Sequence, residues 1–203
     1  MSITTNNEKR HEIKFVINEI QKNIFIKKNR LRKIFPDRLV ESVYFDTKNF
    51  HFFSLSEEGL TPRTKIRVRG YNQGLKDNLE IKISKSYHRE KIVIKGFKIS
   101  NFNLHHNLKK IGIYEIVEPK IRVRYLRSYY QLDGVGRITI DNNIEFLSPN
   151  QNFYNSKKII ETILEVKIQN EVIDKNHIEQ MINLRESRFS KYCTGINYLF
   201  KSN

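Results

Sequence analysis

Three apolar stretches of the sequence carry a glutamate two residues before a lysine. They are RHEIKF with Glu12 and Lys14, LEIKIS with Glu80 and Lys82, and ILEVKI with Glu165 and Lys167. Alternating charged and apolar residues indicate β-strands with one polar face. Lysines on such faces match phosphate oxygens, and carboxylates beside them suit Mg²⁺ or Mn²⁺ bound to the same phosphate. The alternative for each pair is that the glutamate only neutralises the lysine two residues along.

Other predicted strands repeat this polar face with an excess of basic residues. In KIRVRGY, for example, Lys65, Arg67 and Arg69 alternate with apolar residues. The predicted polar faces carry nine basic and four acidic residues, namely Arg10, Lys14, Lys65, Arg67, Arg69, Lys82, Arg127, Arg137 and Lys167 with Glu12, Glu80, Asp141 and Glu165. Enclosing so many cations without partners is costly, so a lumen that they line must either stay wet or hold an anion.

The strands and helices predicted from the sequence show how these faces could meet. A first strand at 10–17 precedes a helix that starts at the capping box of Asn18 and Gln21, extends through Ile34 and stops at Pro36. Short helices are expected at 104–111 and after Asp174. Further strands are expected at 40–47, 64–71, 78–84 and 90–94 and in the segments PKIRVRYLRSYYQL, GRITIDNNIEF and KIIETILEVKI.

Seven or eight antiparallel strands with few helices predict an α+β fold, mainly antiparallel β, with a curved sheet or barrel. Helices covering the apolar side would leave the charged side free to line the lumen. No repeat or low-complexity linker divides the chain, so we expect residues 1–203 to form a single domain.

Composition favours a protein of the cytoplasm with a polyanionic partner. Lys and Arg total 37 against 22 Asp and Glu, a net charge of +15, although abundant Lys, Asn and Ile also fit a compositional bias of the source. Cys193 is the only cysteine, which excludes an intrachain disulfide and favours a reducing compartment. We expect no membrane span, because no stretch approaches the roughly 18 apolar residues that one requires.

The ordered set of motifs resembles the VTC domain, the polyphosphate polymerase domain within the CYTH or triphosphate tunnel metalloenzyme superfamily. The resemblance covers nearly the whole chain, through RHEIKF, SVYFDT, KIRVRGY, LEIK, PKIRVRYLR, RITID, LEVKI and RFSKY. It implies an eight-stranded antiparallel β-tunnel closed as a barrel, with a few helices packed outside. It also implies a metal-dependent phosphotransferase that moves the γ-phosphoryl of ATP to a growing polyphosphate chain, with Mn²⁺ or Mg²⁺ as cofactor.

The resemblance also suggests which residues do this work. Glu165 matches the metal-binding carboxylate, and Lys191 is expected beside the transferred phosphoryl group, so these two are the predicted catalytic residues. Arg10 joins the phosphate-binding set from the polar-face pattern, and Lys91 is preferred to Arg89 on strand phase. The phosphate-binding set is Arg10, Lys14, Arg67, Arg69, Lys82, Lys91, Arg127, Arg137, Arg188 and Ser190.

Four other assignments follow from strand phase and position. Glu12 is either a second metal contact or a partner for neighbouring cations. Asp46 in YFDT is expected to have a structural role at a strand end. Arg122 and Arg124 alternate out of step with Arg127 and are expected to face outward.

The sequence leaves two alternative functions of the same fold open. One is an inorganic or nucleoside triphosphatase that uses water as acceptor, and the other is a non-catalytic polyphosphate-binding module. Nucleic acid is not an expected ligand, because no recognised motif accompanies the aromatic residues next to Arg127. The family's larger members carry membrane helices and a separate sensing domain, which in this case partner proteins would have to supply.

Overall fold

The computed structural model describes residues 3–6, 12–72, 78–86, 88–97, 101–151, 156–168 and 175–201. These residues form ten strands of one antiparallel sheet, together with five α-helices and a final π-helical turn. The strands are β1 (Ile3–Asn6), β2 (Glu12–Ile17), β3 (Arg32–Asp46), β4 (Arg63–Tyr71), β5 (Asn78–Ser84), β6 (Arg89–Lys95), β7 (Glu118–Leu132), β8 (Gly136–Leu147), β9 (Lys157–Ile159) and β10 (Thr162–Ile168). The helices are α1 (Glu19–Lys28), α2 (His51–Glu58), α3 (Asn101–Lys110), α4 (Lys175–Ile182) and α5 (Lys191–Ile196), and the π-helical turn is Asn197–Lys201.

The sheet is curled, and its strands run in the order β1-β6-β5-β4-β3-β7-β8-β10-β2, with β9 paired to β8. The predicted α+β fold with a mainly antiparallel sheet is confirmed. The predicted closed tunnel of eight strands is wrong in detail, because β1 and β2 end the hydrogen-bonded path and do not pair with each other in the described part of the chain. The polar N-terminal stretch also contributes β1, which pairs with β6.

The outer face of the sheet is apolar and is covered by helices. On β4, β5 and β6 the alternating aliphatic residues, such as Ile66, Leu79 and Ile92, pack against Leu104 and Leu108 of α3. On β2, β8 and β10 the equivalent residues pack against Phe25 of α1 and Ile178 of α4. Because strand side chains alternate between faces, the charged residues between these aliphatic ones point to the inside of the curl.

The inner face is divided into a charged half and an apolar half. On β8 the division coincides with a change of phase at Asn143, which has a φ of +50° and lies where the pairing with β7 shifts in register. Before it Arg137 faces inward, whereas after it Phe146 does so and packs on α5. Helix α5 approaches so closely that a Cβ on Gly195 would lie 2.7 Å from side-chain carbons of Ile121 and Phe146. The apolar half therefore anchors α5 inside the curl.

The first helix is shorter than the sequence predicts. It ends at Lys28, and Arg30 follows with a φ of +47°, so the apolar stripe through Ile34 is not helical. Residues from Arg32 onward pair instead with β7, beginning with Arg32 opposite Gln131. The capping box of Asn18 and Gln21 is confirmed. Pairing with a long neighbouring strand thus overrides the local helical pattern.

Two other predicted helices are present in the structure. The helix near 104–111 is confirmed as α3, and a helix follows Asp174 as expected, although Asp174 itself lies outside the described residues. Among the described helices, none combines the length and apolar character needed to cross a membrane.

Candidate functional site, a basic cavity inside the curled sheet

The charged half of the inner face encloses a cavity of about 750 Å³. Its described lining includes thirteen basic side chains and five glutamates. The basic ones are Lys14, Arg63, Lys65, Arg67, Arg69, Lys82, Arg89, Lys91, Arg127, Arg137, Lys167, Arg188 and Lys191, and the acidic ones are Glu12, Glu57, Glu80, Glu165 and Glu186. Such an excess of cations in an enclosed space favours binding of a polyvalent anion.

The structure brings the described residues of the predicted site into this one cavity. Lys14, Arg67, Arg69, Lys82, Lys91, Arg127, Arg137, Glu165, Arg188, Ser190 and Lys191 all line it. Arg10 lies outside the described residues. Arg122 and Arg124 bind Glu41 and Glu145 instead, as their strand phase predicts.

Glu80 is the carboxylate around which three of the cations are arranged. Its Oε2 accepts hydrogen bonds from Arg67 Nε at 3.0 Å and Nη2 at 2.5 Å. Arg69 Nη1 and Lys91 Nζ each lie 3.6 Å from its carboxylate oxygens. Burial alone would raise the pKa of Glu80, but Arg67, Arg69 and Lys91 hold it well below its ordinary value. Glu80 therefore stays ionised and holds these cations along one wall.

A second carboxylate, Asp141, lies behind the cavity and orients two more cations. Arg127 donates from Nε to Oδ1 at 2.6 Å and from Nη2 to Oδ2 at 2.7 Å, and Lys191 Nζ donates to the same Oδ2 at 2.5 Å. Lys191 Nζ also lies 4.5 Å from the centre of the Tyr125 ring. Burial would raise the pKa of Asp141, yet Lys191 and Arg127 lower it below its ordinary value. The two cations are thereby fixed next to each other in the cavity wall.

Two other carboxylates lie together on β2 and β10. Lys167 Nζ contacts Glu12 Oε1 at 3.1 Å and Glu165 Oε1 at 3.2 Å. Burial would raise the pKa of Glu165, but Lys14 and Lys167 hold it well below its ordinary value. Burial and the nearby Glu165 would both raise the pKa of Glu12. Lys82 and Lys167 outweigh them, so the pKa lies below its ordinary value.

This carboxylate pair suits a hard divalent cation. Within the described ranges no group of three or more ligand side chains forms a complete metal site. Mg²⁺ and Mn²⁺ do not require one, because such ions commonly take one or two carboxylates and fill their remaining positions with phosphate oxygens and water. Glu12 and Glu165 thus fit a cation that arrives with a phosphate ligand.

The segment 187–191 lies along the cavity and is held there by lysines of two strands. Lys14 Nζ donates to the carbonyl of Phe189 at 3.3 Å, and Lys65 Nζ donates to Ser190 Oγ at 2.9 Å. The backbone amide of Ser187 donates to the carbonyl of Lys14 at 2.8 Å. Both lysines use neutral acceptors here, so their charges remain available to an anion in the cavity.

Desolvation makes several of these lysines easier to deprotonate. Burial lowers the pKa of Lys65, Lys82 and Lys91, and neighbouring cations add to this effect. Lys65 lies opposite Lys82, and Lys82 opposite Lys91, on three adjacent strands. Like charges in directly opposite positions destabilise a sheet. A bound polyanion would relieve this repulsion and favour the charged form of each lysine.

Asp46 connects the helices to the inner wall without contacting the cavity. Its buried carboxylate accepts hydrogen bonds from the amides of Phe52 at 2.9 Å and Phe53 at 2.8 Å in the first turn of α2. The hydroxyl of Tyr192 donates to Asp46 Oδ2 at 2.5 Å, and its ring stacks on Tyr44 with centroids 5.3 Å apart. The structural role expected for Asp46 is therefore that of a cap for α2 and an anchor for α5.

Several lining residues were not in the predicted set. Arg63 and Arg89 lie at strand ends, where alternation gives a weak signal. Tyr44 accepts a hydrogen bond from Arg67 Nη1 at 3.0 Å. Its apolar neighbours Val43 and Phe45 do not indicate that its hydroxyl lies in the cavity. Lys65 and Lys167 belonged to the predicted polar faces but not to the predicted phosphate-binding set. They lie opposite Lys82 and Arg137, two residues of that set.

Comparison with solved structures shows the same fold in distant proteins. A candidate adenylate cyclase from Bacillus halodurans is 12% identical over 96% of this chain and 98% of that chain, with a TM-score of 0.63. A protein from Pyrococcus horikoshii is 12% identical over 95% and 99%, with a TM-score of 0.58. A Hippeastrum protein, described as a candidate adenylyl cyclase with a dominant triphosphatase activity, is 14% identical over 93% and 96%, with a TM-score of 0.57.

The sequence itself identifies the family. No curated protein sequence matches the chain. The family profile described as the VTC domain matches residues 8–200, which include every described strand except β1 and all five described helices. The chain therefore belongs to the VTC domain family.

Proposed function

We propose that this protein is a polyphosphate polymerase that transfers the γ-phosphoryl of ATP to the end of a polyphosphate chain. In this reaction a terminal phosphate oxygen of the chain forms a bond to the γ-phosphorus. The bond from that phosphorus to the β,γ-bridging oxygen breaks, and ADP leaves. The observation that supports the proposal best is the cavity lined by thirteen cations, with Lys191 and Arg127 fixed side by side on Asp141.

The residues of the cavity suit this chemistry because phosphoryl transfer mainly requires positioning and charge stabilisation. Arg67, Arg69 and Lys91 along one wall would hold the phosphates that do not react. Lys191 would lie beside the transferred phosphoryl group, where its ammonium stabilises the charge on the equatorial oxygens. Ser190 would donate its hydroxyl to a phosphate, and the ligand would replace it as the acceptor for Lys65.

A divalent cation completes the proposed site. Glu165, with Glu12 beside it, would hold Mn²⁺ or Mg²⁺, which neutralises phosphate charge and fixes the orientation of the phosphates when bound. Lys167 would then move its contacts from these carboxylates to phosphate oxygens, and Lys14 on the adjacent strand would move its contact from the carbonyl of Phe189. The remaining members of the proposed phosphate site are Lys82, Arg137 and Arg188.

A triphosphatase is the second candidate function. The Hippeastrum protein of the same fold is described as having a dominant triphosphatase activity. The same cations and metal would serve that reaction, with water in place of the polyphosphate end as the acceptor. A non-catalytic polyphosphate-binding module would use the cations alone.

A time course with ATP and Mn²⁺ or Mg²⁺ separates these functions. ADP, free phosphate and acid-stable polymer are resolved at each time point. ADP formed together with polymer supports the polymerase. Free phosphate without polymer would replace it by the triphosphatase, and tight polyphosphate binding without turnover would replace it by the binding module.

The matched controls are two lysine variants. Lys191→Ala removes the proposed catalytic cation, whereas Lys28→Ala removes an exposed lysine from α1, outside the cavity. The proposal requires that only the first variant loses turnover. A location in the cytoplasm, ATP and polyphosphate as ligands, and partner proteins that supply membrane attachment or regulation also remain predictions.

A further inference from the structure

Three residues form a row across the rim of the cavity. Arg63 at the start of β4 lies opposite Ser84 at the end of β5, which in turn lies opposite Arg89 at the start of β6. All three line the cavity, as does the exposed Arg188. Strand ends form the rim of a curled sheet, so this row stands at a mouth of the cavity.

Among the residues that the structure describes, few compensate the charges of this rim row. Arg63 Nη1 donates to the carbonyl of Gly59, at 3.4 Å, and the guanidinium of Arg188 lies over the same glycine. Arg89 forms no ion pair with any other residue that the structure describes. The glutamates on the neighbouring segments are engaged elsewhere, since Glu186 lies 2.7 Å from Lys175 and Glu57 accepts a hydrogen bond from Asn197 at 3.1 Å.

The rim row continues a second row deeper in the cavity. Lys65, Lys82 and Lys91 lie opposite one another on the same three strands, two residues further from the rim. Two residues of a strand span about 6.7 Å, so the two rows are separated by about this distance along the wall. A linear anion that passes the deeper row therefore meets the rim row next.

The chemistry of the rim row is that of a phosphate site. Two guanidinium groups flank a serine hydroxyl, and arginine binds phosphate oxygens in a bidentate manner. Arg63 on β4 and Arg89 on β6 flank Ser84 of β5, so an anion bound at Ser84 would lie between the two cations. A ligand that reaches both rows gains the second contact at high effective concentration.

We propose that Arg63, Ser84 and Arg89, with Arg188, form an anion subsite for phosphate units of a linear polyphosphate beyond those held deeper in the cavity. This inference rests on the proposed function only in taking the deeper cations as a triphosphate site. The rim subsite makes the cavity selective for chains longer than triphosphate. Removal of its arginines weakens the binding of long polyphosphate chains and leaves the binding of short ones unchanged.

Direct binding measurements on the full chain test this inference without requiring turnover. Affinities for tripolyphosphate and for a linear polyphosphate of tens of units are measured by calorimetry at fixed ionic strength. The variants are Arg63→Gln/Arg89→Gln and the single Arg89→Gln, which changes only an exposed residue and preserves the fold. The control Lys28→Gln/Arg32→Gln removes the same charge from exposed positions outside the cavity.

The expected result is a length-selective loss. The double variant should bind long polyphosphate about 10-fold to 100-fold more weakly, the usual effect of losing a charge-assisted hydrogen bond. The affinity of the double variant for tripolyphosphate should change less than about 2-fold. The control should change the affinity for either ligand by no more than this. Equal losses for both ligands, or no loss for either, would overturn the rim subsite. Failure of the unmodified protein to bind either ligand would overturn the proposed function as well.

Discussion

Replacement of Glu80 by glutamine removes a carboxylate that contacts Arg67, Arg69 and Lys91 together. The substitution preserves the size and shape of the side chain, so its effect is that of charge. Without this carboxylate of β5, Arg67 and Arg69 of β4 and Lys91 of β6 face each other with no anion of the described residues between them. We expect Glu80→Gln to destabilise the unliganded protein and to strengthen the binding of tripolyphosphate, because the carboxylate no longer competes with it.

The size of the effect follows from the burial of the pair. The Glu80 side chain is 8% exposed, and removing one partner of a buried ion pair costs about 3–5 kcal/mol. The lower end applies, because the Arg67 side chain is 24% exposed and keeps its hydrogen bond to Tyr44. A loss of about 3 kcal/mol corresponds to a fall in Tm of about 6–12 °C for a chain of this length.

The assay is thermal unfolding with and without tripolyphosphate. Glu80→Gln should show the lower Tm alone and the larger rise with ligand. Glu41→Gln is the matched control, because Glu41 pairs with Arg122 outside the cavity and its side chain is 38% exposed, so its loss should cost at most about 1 kcal/mol. A variant within about 2 °C of the unmodified protein, or one without a larger ligand response, would refute the role given to Glu80.

Acid should diminish the difference between Glu80→Gln and the unmodified protein. The pKa of Glu80 is lower in the folded state than in the unfolded state, so the unfolded chain binds the proton more readily. The stability from Glu80 is therefore complete above the unfolded pKa of about 4.3 and is lost as pH falls through the folded pKa. Unfolding curves at neutral pH and below pH about 4 measure this convergence. A difference that grows in acid would contradict the assignment.

Three other substitutions test separate parts of the site. Glu165→Gln should abolish metal-dependent turnover while tripolyphosphate still binds in calorimetry; loss of binding would instead make Glu165 structural. Lys191→Ala should lower turnover about 100-fold to 1,000-fold, as removal of a group that stabilises developing charge does, and full activity would remove Lys191 from the mechanism. Its Tm should fall by no more than that of Glu80→Gln, because Asp141 keeps its two hydrogen bonds from Arg127. Tyr192→Phe should lower the free energy of unfolding by about 1–3 kcal/mol, because Asp46 loses a buried donor, whereas the control Tyr114→Phe, at a residue that is 72% exposed, should have no effect in urea titrations.

The inner wall was predictable from the sequence because its strands follow a strict two-residue period. Lys14, Arg67 and Glu165 each stand between apolar residues that pack under the outer helices, so their inward direction follows from the pattern alone. Their convergence needed the order of motifs, since alternation says which face a residue occupies and not which strands are neighbours.

The features that the sequence did not reveal depend on contacts between distant segments. Residues after Arg30 have helical spacing, yet pairing with β7 makes them a strand. The phase change at Asn143 depends on a single residue in the left-handed conformation. Asparagine tolerates this conformation, but its presence in a sequence does not predict it. Asp46 contacts Tyr192, 146 positions away, and no local pattern predicts such a contact.

The described strands do not close into a barrel, and this has a mechanical consequence. A hydrogen-bonded ladder fixes neighbouring strands at about 4.8 Å, whereas an ion pair fixes only the reach of two flexible side chains. Across the edge of β2 that pairs with no described strand, Glu12 contacts Lys82 of β5 at 3.5 Å, and the Lys82 side chain is 41% exposed. Salt weakens such a contact. We therefore expect the width of the lumen along this seam to depend on ionic strength more than that of the wall in which a ladder joins β3 and β7.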